Sequence, residues 1–331
     1  MTTPSLRETH GDALRAIPGL LLALVCMASV PLFLRYLTRF NTLDAWTINA
    51  VRYGTVAGIW LPFAIRRSCR FPAERRVWRD ARGTALANLV GQICWAIGAY
   101  HNEAGVIAFV VRSSFLFSAI YSLALLPAER ATVRRPRFWL GAAGVALGLV
   151  LLFGDALKSG KSSPFGLSIL LLAAAAWGLY WVLVKRDLGG HDQRLCFAVN
   201  SIYTAGALIV AMFLFGDWPA LAGVPLRLWG VLVVSAIIGL VFSHVLMYRT
   251  IQIVGPVVTS GSTCIQPFLT TLGAWIFLGE VLLPTQWVGG CLLVGSSLLL
   301  LSLKLGAQPV LPPVALPIDA APAIPERTSA P

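Results

Sequence analysis

The sequence predicts an all-α integral membrane protein, with ten transmembrane helices arranged as two inverted five-helix repeats. Three observations carry this. Hydrophobic residues make up 57% of the 331 positions and charged residues only 12%, with a mean hydropathy of +0.77; in soluble domains about a quarter of residues are charged. The apolar residues fall into ten continuous stretches near the length a helix needs to cross about 30 Å of hydrocarbon at 1.5 Å per residue. Landmarks of the first half also recur about 150 residues later.

Taken in order, an N-terminal segment, 1–16, precedes a first span at 17–34. That span is too long for a signal peptide and has no small-x-small cleavage site after it, so it stays in the membrane. The second span, 45–65, holds Arg52 and runs into a loop bearing Arg66, Arg67, Arg70, Arg75, Arg76, Arg79 and Arg82. The third, 83–100, and the fourth, 104–126, are joined by a turn of a few residues and form a tight antiparallel hairpin. A short fifth span, 138–153, carries Gly144-x-x-x-Gly148, a helix-packing signal. Residues 154–164 form a linker, and the second half runs through spans at 165–184, 195–215, 228–248, 256–278 and 287–303. The tail, 304–331, has seven of the 20 prolines among Ala and Val and is expected to be disordered. A β-barrel is excluded, because barrel strands alternate in hydrophobicity over about ten residues and these stretches do not.

The net charge of +12 would suggest nucleic acid in a soluble protein. Here the basic residues sit in loops, without an aromatic platform beyond Trp78, so they meet anionic lipid headgroups and no nucleic-acid partner is expected. Alternating the ten spans puts 19 Lys and Arg on the side of the N-terminus and 5 on the other. Both termini are therefore predicted to be cytoplasmic, in a multi-pass protein of the bacterial inner membrane. The six cysteines show no paired spacing and read as small core hydrophobes.

The internal repeat is the strongest signal. Pro-Ala-Glu129 closes the fourth span and Leu-Gly-Glu280 the ninth, 151 residues apart. Trp139-x-Gly141 and Trp287-x-Gly289 open the spans that follow, and Gly105 with Gly255 and Arg35 with Lys185 are each 150 apart. Five spans per copy is an odd number, so the second copy enters from the opposite side. Inverted repeats of this kind build many secondary transporters, with the substrate near the midplane between the halves. Together with an arginine in the second span, Ala-Val-Arg52-Tyr53, these features resemble the drug/metabolite transporter superfamily, EamA type, over residues 17–303. The first repeat, 17–153, has Pro127-Ala128 where Leu-Gly is usual and Leu116 where the second repeat, 165–303, has Pro267. The resemblance implies an export or exchange carrier for small metabolites, amino acids or drugs.

None of the 14 acidic residues lies inside a span, which disfavours a carboxylate proton relay and a cation-binding pocket. Arg52 and Arg112 do lie inside. For Arg52, pairing with carbonyls or a helix end and a role in substrate passage stay open together. Arg112 is the candidate contact for an anionic substrate group, because the repeat offset sets it opposite Thr263, and Phe115 opposite Gln266, while its planar fork suits a carboxylate or phosphate. Asn88, Gln92 and Trp95 share one face of the third span, and Thr259, Thr263, Gln266 and Thr270 form a stripe on the ninth. Gly239 and Ser243 map onto Asn88 and Gln92. These stripes are predicted to face one central cavity, with Trp177 and Tyr180 of the sixth span as an aromatic subsite and His244 near the inner end of the eighth. Interhelical hydrogen bonding would account for the same amides and hydroxyls.

No phosphate loop, metal-ligand spacing or nucleophile set is present: Gly154 to Ser162 has one residue too many between its glycines and no preceding strand. The sequence thus predicts a secondary transporter, an exporter or exchanger of a small metabolite or amino acid, that is not an enzyme and uses no cofactor. The alternative is an intramembrane enzyme or sensor acting on a lipid-linked substrate. Expected partners are the small-molecule substrate with its anionic group, the lipid bilayer, and a second copy of the chain in a homodimer.

Overall fold

The computed structural model describes residues 6–40, 43–125, 136–158, 163–244, 246 and 263–305. Glu129, Gly255, Thr259, part of the linker and the tail from 306 lie outside them. Twelve helices account for most of the described chain: α1 Leu6–Phe40, α2 Ala45–Arg70, α3 Arg76–Asp80, α4 Arg82–His101, α5 Ala104–Val111, α6 Ser114–Leu125, α7 Pro136–Lys158, α8 Pro164–Leu188, α9 Gln193–Phe215, α10 Leu226–Ala236, α11 Gln266–Gly273 and α12 Pro284–Leu305. The wider turns Ile237–Phe242 and Ala274–Leu278 extend α10 and α11.

Local chemistry sets the helix starts. Asp44 accepts from the backbone N–H groups of Trp46 and Thr47 to cap α2, Ser163 caps α8 ahead of Pro164, and Asp192 caps α9. Burial opposes ionisation of Asp44, but bonds from the Thr47 hydroxyl and from the N–H groups of Thr47, Asp217 and Trp46 outweigh it and hold the carboxyl below its ordinary range. The α11 extension stops at Gly279, whose φ of 65° is a left-handed conformation that glycine adopts without strain.

Segment 1–16 is helical from Leu6, continuous with the first span. One expectation changes: the fourth span is two helices, α5 and α6, parted at Arg112 and Ser113. Among the described residues three helical segments are both long and apolar enough to cross a membrane unaided, Pro18–Arg39, Pro164–Leu188 and Arg194–Phe215, and three more are apolar but shorter. Large apolar side chains such as Leu21, Leu86, Leu140, Val150, Phe213 and Phe277 point outward, as lipid contact requires.

The most extensive helix contacts join one half of the chain to the other: α7 with α12, α4 with α8, and α2 with α9. Gly148 lets α7 approach α12 so closely that a β-carbon there would lie 2.7 Å from the Gly289 carbonyl oxygen. At one end of the bundle Arg35, Ala99, Ala104 and Glu280 meet, and the start of α8 at Gly166 packs on His101 and Asn102. At the other end Arg67 binds Glu74 and approaches Asp192, His191 meets Asp80, and Tyr203 donates to the Trp78 carbonyl. The first helix of the second half therefore begins where the first helix of the chain finishes.

Candidate functional site: a central cavity

The chain backbone is irregular around one central region. Arg112 and Ser113 donate their N–H groups to the carbonyls three residues back, at Phe109 and Val110, and the α-helical ladder is interrupted there. On the ninth span a tight turn, Thr263–Ile265, precedes α11 at Gln266, and the 151-residue offset places the counterpart of Arg112 in that turn. A third irregularity, the wide turn Ile237–Phe242, contributes Gly239 and Leu240 to the same region.

Among these segments lies a cavity of about 200 Å³. Asn88, Gln92 and Trp95 of α4, Arg112, Trp177 and Tyr180 of α8, His244 and Gln266 all line it, eight of the ten residues singled out in the sequence. Thr270 and Gly239 line it too, whereas Ser243 is turned away and donates to the Gly239 carbonyl. Thr263 sits in the turn before α11 and is not in the wall. Arg52 is not in the wall either: it is 1% exposed, donates from Nε to the Ser235 hydroxyl at 3.1 Å, and lies with its guanidinium carbon 5.8 Å from the Trp95 ring centre. Its helical position faces α10 and the back of Trp95, one step around α2 from Tyr53, which does line the cavity.

The polar groups are held by neighbours. Arg112 donates from Nη2 to Oε1 of Gln266, joining the fourth span to α11. Asn88 donates to the Thr204 hydroxyl at 3.0 Å, and Asn49 donates to the main-chain carbonyl of Gln92 at 2.6 Å, fixing α4 against α2 and α9. His244 stacks on Phe197 at 4.5 Å, with Nδ1 donating to the Leu240 carbonyl at 2.7 Å. The Trp95 and Trp177 rings meet at 5.7 Å, so one side of the cavity is aromatic. Arg112 is the formal cation of this wall, and no carboxylate lines it among the described residues. No cluster of His, Cys, Asp or Glu there has metal-binding geometry among the described residues.

Sequence reasoning missed Met27, Val30 and Pro31 of α1, and Tyr53. Pro31 inside an otherwise continuous apolar helix was a signal for the first group; Tyr53 had only its adjacency to Arg52.

The chain matches the EamA-like transporter family over residues 14–154 and again over 164–302. No curated protein sequence matches it significantly. A solved structure titled only "Crystal structure of protein" superposes with a TM-score of 0.56 at 19% identity, covering 86% of this chain and 96% of its own, which supports the fold. With a match to that family in each half and lipid-facing apolar helices, the chain belongs to the EamA-like transporter family and is a multi-pass membrane transporter of the drug/metabolite type.

Proposed function

We propose that this transporter is a secondary carrier for a small metabolite or amino acid bearing an anionic group, an exporter or exchanger that alternates access to its central cavity. Arg112 carries the reading: a guanidinium at a helix break, in a cavity whose described wall has aromatic rings and no carboxylate. The planar fork matches a carboxylate in two parallel hydrogen bonds, and charge-assisted bonds of this kind are the strong ones. Trp95, Trp177 and Tyr180 accept the apolar part of the ligand. Ser114 and Gln266, at the starts of α6 and α11, add helix N-termini that favour negative charge.

In this reading ten spans form two inverted repeats that rock about the cavity, with both termini cytoplasmic in a bacterial inner membrane, as the 19 to 5 distribution of Lys and Arg implies. The test is flux in liposomes of purified protein, across a panel of carboxylates and amino acids. Arg112→Gln should reduce flux of the preferred substrate roughly 10- to 100-fold, the range expected for losing a charged hydrogen bond, without loss of folded protein. Normal flux in that variant would make the arginine structural and shift the search to Gln92, Trp95 and Gln266.

A further inference from the structure

The polar groups of the cavity are not interchangeable, because their neighbours fix which atom each one presents. Arg112 has only donors, so the atom of Gln266 that faces it is the carbonyl oxygen Oε1, and the amide nitrogen with its two N–H groups is turned away. Towards a ligand, Arg112 and Gln266 therefore both act as donors. At Asn88 the order is reversed. Thr204 gives its hydroxyl proton to the Asn200 carbonyl at 2.8 Å and offers Asn88 a lone pair, so the amide nitrogen is the atom that meets it, at 3.0 Å. His244 is fixed in the same way. Ser243 gives its proton to the Gly239 carbonyl at 2.7 Å, and its oxygen lies 3.2 Å from Nδ1 of His244, which also faces the Leu240 carbonyl at 2.7 Å. Two acceptors at Nδ1 place the ring hydrogen there.

What remains is Oδ1 on Asn88 and Nε2 on His244. In the neutral ring both are acceptors, and neither has a hydrogen-bond partner among the described residues. Phe197 covers one face of the imidazole at 4.5 Å, so the ring edge is held in place. Asn88 meets α9 at Thr204 and His244 meets it at Phe197, two helical turns earlier on the same face. The two acceptors thus stand along the α9 side of a wall whose other pole, Arg112 and Gln266, only donates to a ligand. We propose that the cavity is polarised in its hydrogen bonding and selects an anionic ligand whose apolar part carries a hydroxyl or an N–H, with Asn88 and His244 as the specificity-determining residues that accept from it. A ligand without that donor leaves two desolvated acceptors unpaired, and one with an ether oxygen there sets lone pair against lone pair. This deepens the proposed function and rests on its reading of Arg112 as the anion contact.

The probes are benzoate, 3- and 4-hydroxybenzoate and the methoxy analogue of each, titrated calorimetrically against purified full-length protein at about pH 7.5, where an ordinary imidazole is mostly neutral. One hydroxybenzoate isomer should bind about 3- to 10-fold more tightly than benzoate, the range for one neutral hydrogen bond, and its methoxy analogue no more tightly than benzoate. A double variant, His244→Phe with Asn88→Leu, keeps a ring on Phe197 and the volume at Asn88. In it the ratio of hydroxybenzoate to benzoate affinity should fall below about twofold. No advantage for either hydroxyl isomer, an equal gain from methoxy, or an advantage that survives in the double variant overturns the acceptor assignment. Should the double variant fail to fold, the comparison of hydroxy with methoxy ligands on unaltered protein decides alone. Arg112→Gln tests the underlying reading separately, and should weaken benzoate and hydroxybenzoate alike. Undiminished benzoate binding in that variant overturns the anion reading, while a hydroxyl advantage that is lost with Asn88 and His244 upholds the acceptors. If no probe binds the unaltered protein, both fall.

Discussion

Arg52 and Arg112 are both arginines inside apolar spans, and their surroundings assign them different work. Arg112 faces the cavity and is held by a neutral amide. Arg52 is sealed behind Trp95, and both of its terminal nitrogens lack a hydrogen-bond partner among the described residues. A buried cation without a carboxylate partner adds little stability, so replacement by an apolar chain of similar length is close to neutral. Arg52→Met should therefore change stability by less than about 1.5 kcal/mol, read as a melting temperature in detergent. A loss above about 3 kcal/mol would mean that the guanidinium holds the fold. At Arg112 the demand is geometric: Arg112→Lys keeps the charge but not the fork, and should transport poorly although equally well folded.

Helix α7 depends on the absence of a side chain. A β-carbon on Gly148 would lie 2.7 Å from the Gly289 carbonyl oxygen and 2.9 Å from the Leu293 nitrogen, both backbone atoms that cannot turn aside. Gly154, on the same helix, has nothing within 4 Å of that position. Gly148→Val should cost about 1–3 kcal/mol or more by overpacking the α7–α12 contact, whereas Gly154→Ala should be neutral or slightly stabilising. Equal melting temperatures for the two variants would show that α7 and α12 do not pack this closely in the membrane. The same reasoning explains why the fourth span could not be read as broken. Its residues from Ala104 to Leu125 are mostly apolar, and nothing at Arg112-Ser113 is a strong helix breaker, while Arg112 bonds to Gln266, a residue 154 positions away.

At the scale of the whole molecule, the two halves interlock through α2 with α9, α4 with α8 and α7 with α12, so neither is expected to be a stable bundle alone. The bundle has a strongly basic end, with Arg66, Arg70, Arg75, Arg76, Arg79 and Arg82 exposed, and an opposite end closed by Glu280. The orientation predicts that, with all native cysteines replaced, a cysteine at exposed Ala222 is labelled on intact cells by an impermeant reagent, and one at exposed Ala73 only after lysis. The reverse pattern would invert the topology and place the Glu280 end in the cytoplasm.

Composition, apolar run length and the 150-residue spacing were enough to read a helical membrane protein, its duplication and its family, because the bilayer demands apolar, internally hydrogen-bonded segments whatever their neighbours. The stripe of Asn88, Gln92 and Trp95 was legible for the same kind of reason, since helical periodicity puts residues three and four apart on one face. What the helices face was not. Arg52 and Arg112 look alike along the chain, yet only the packing of α10 and Trp95 decides that one is sealed away and the other opens on the cavity. The meeting of Arg35, Ala104 and Glu280 is likewise a product of the fold: the residues are up to 245 positions apart, and no local rule specifies which helix ends come together. That choice belongs to the interdigitation of side chains across the two halves, which is a property of shape in three dimensions and is not written in any one segment.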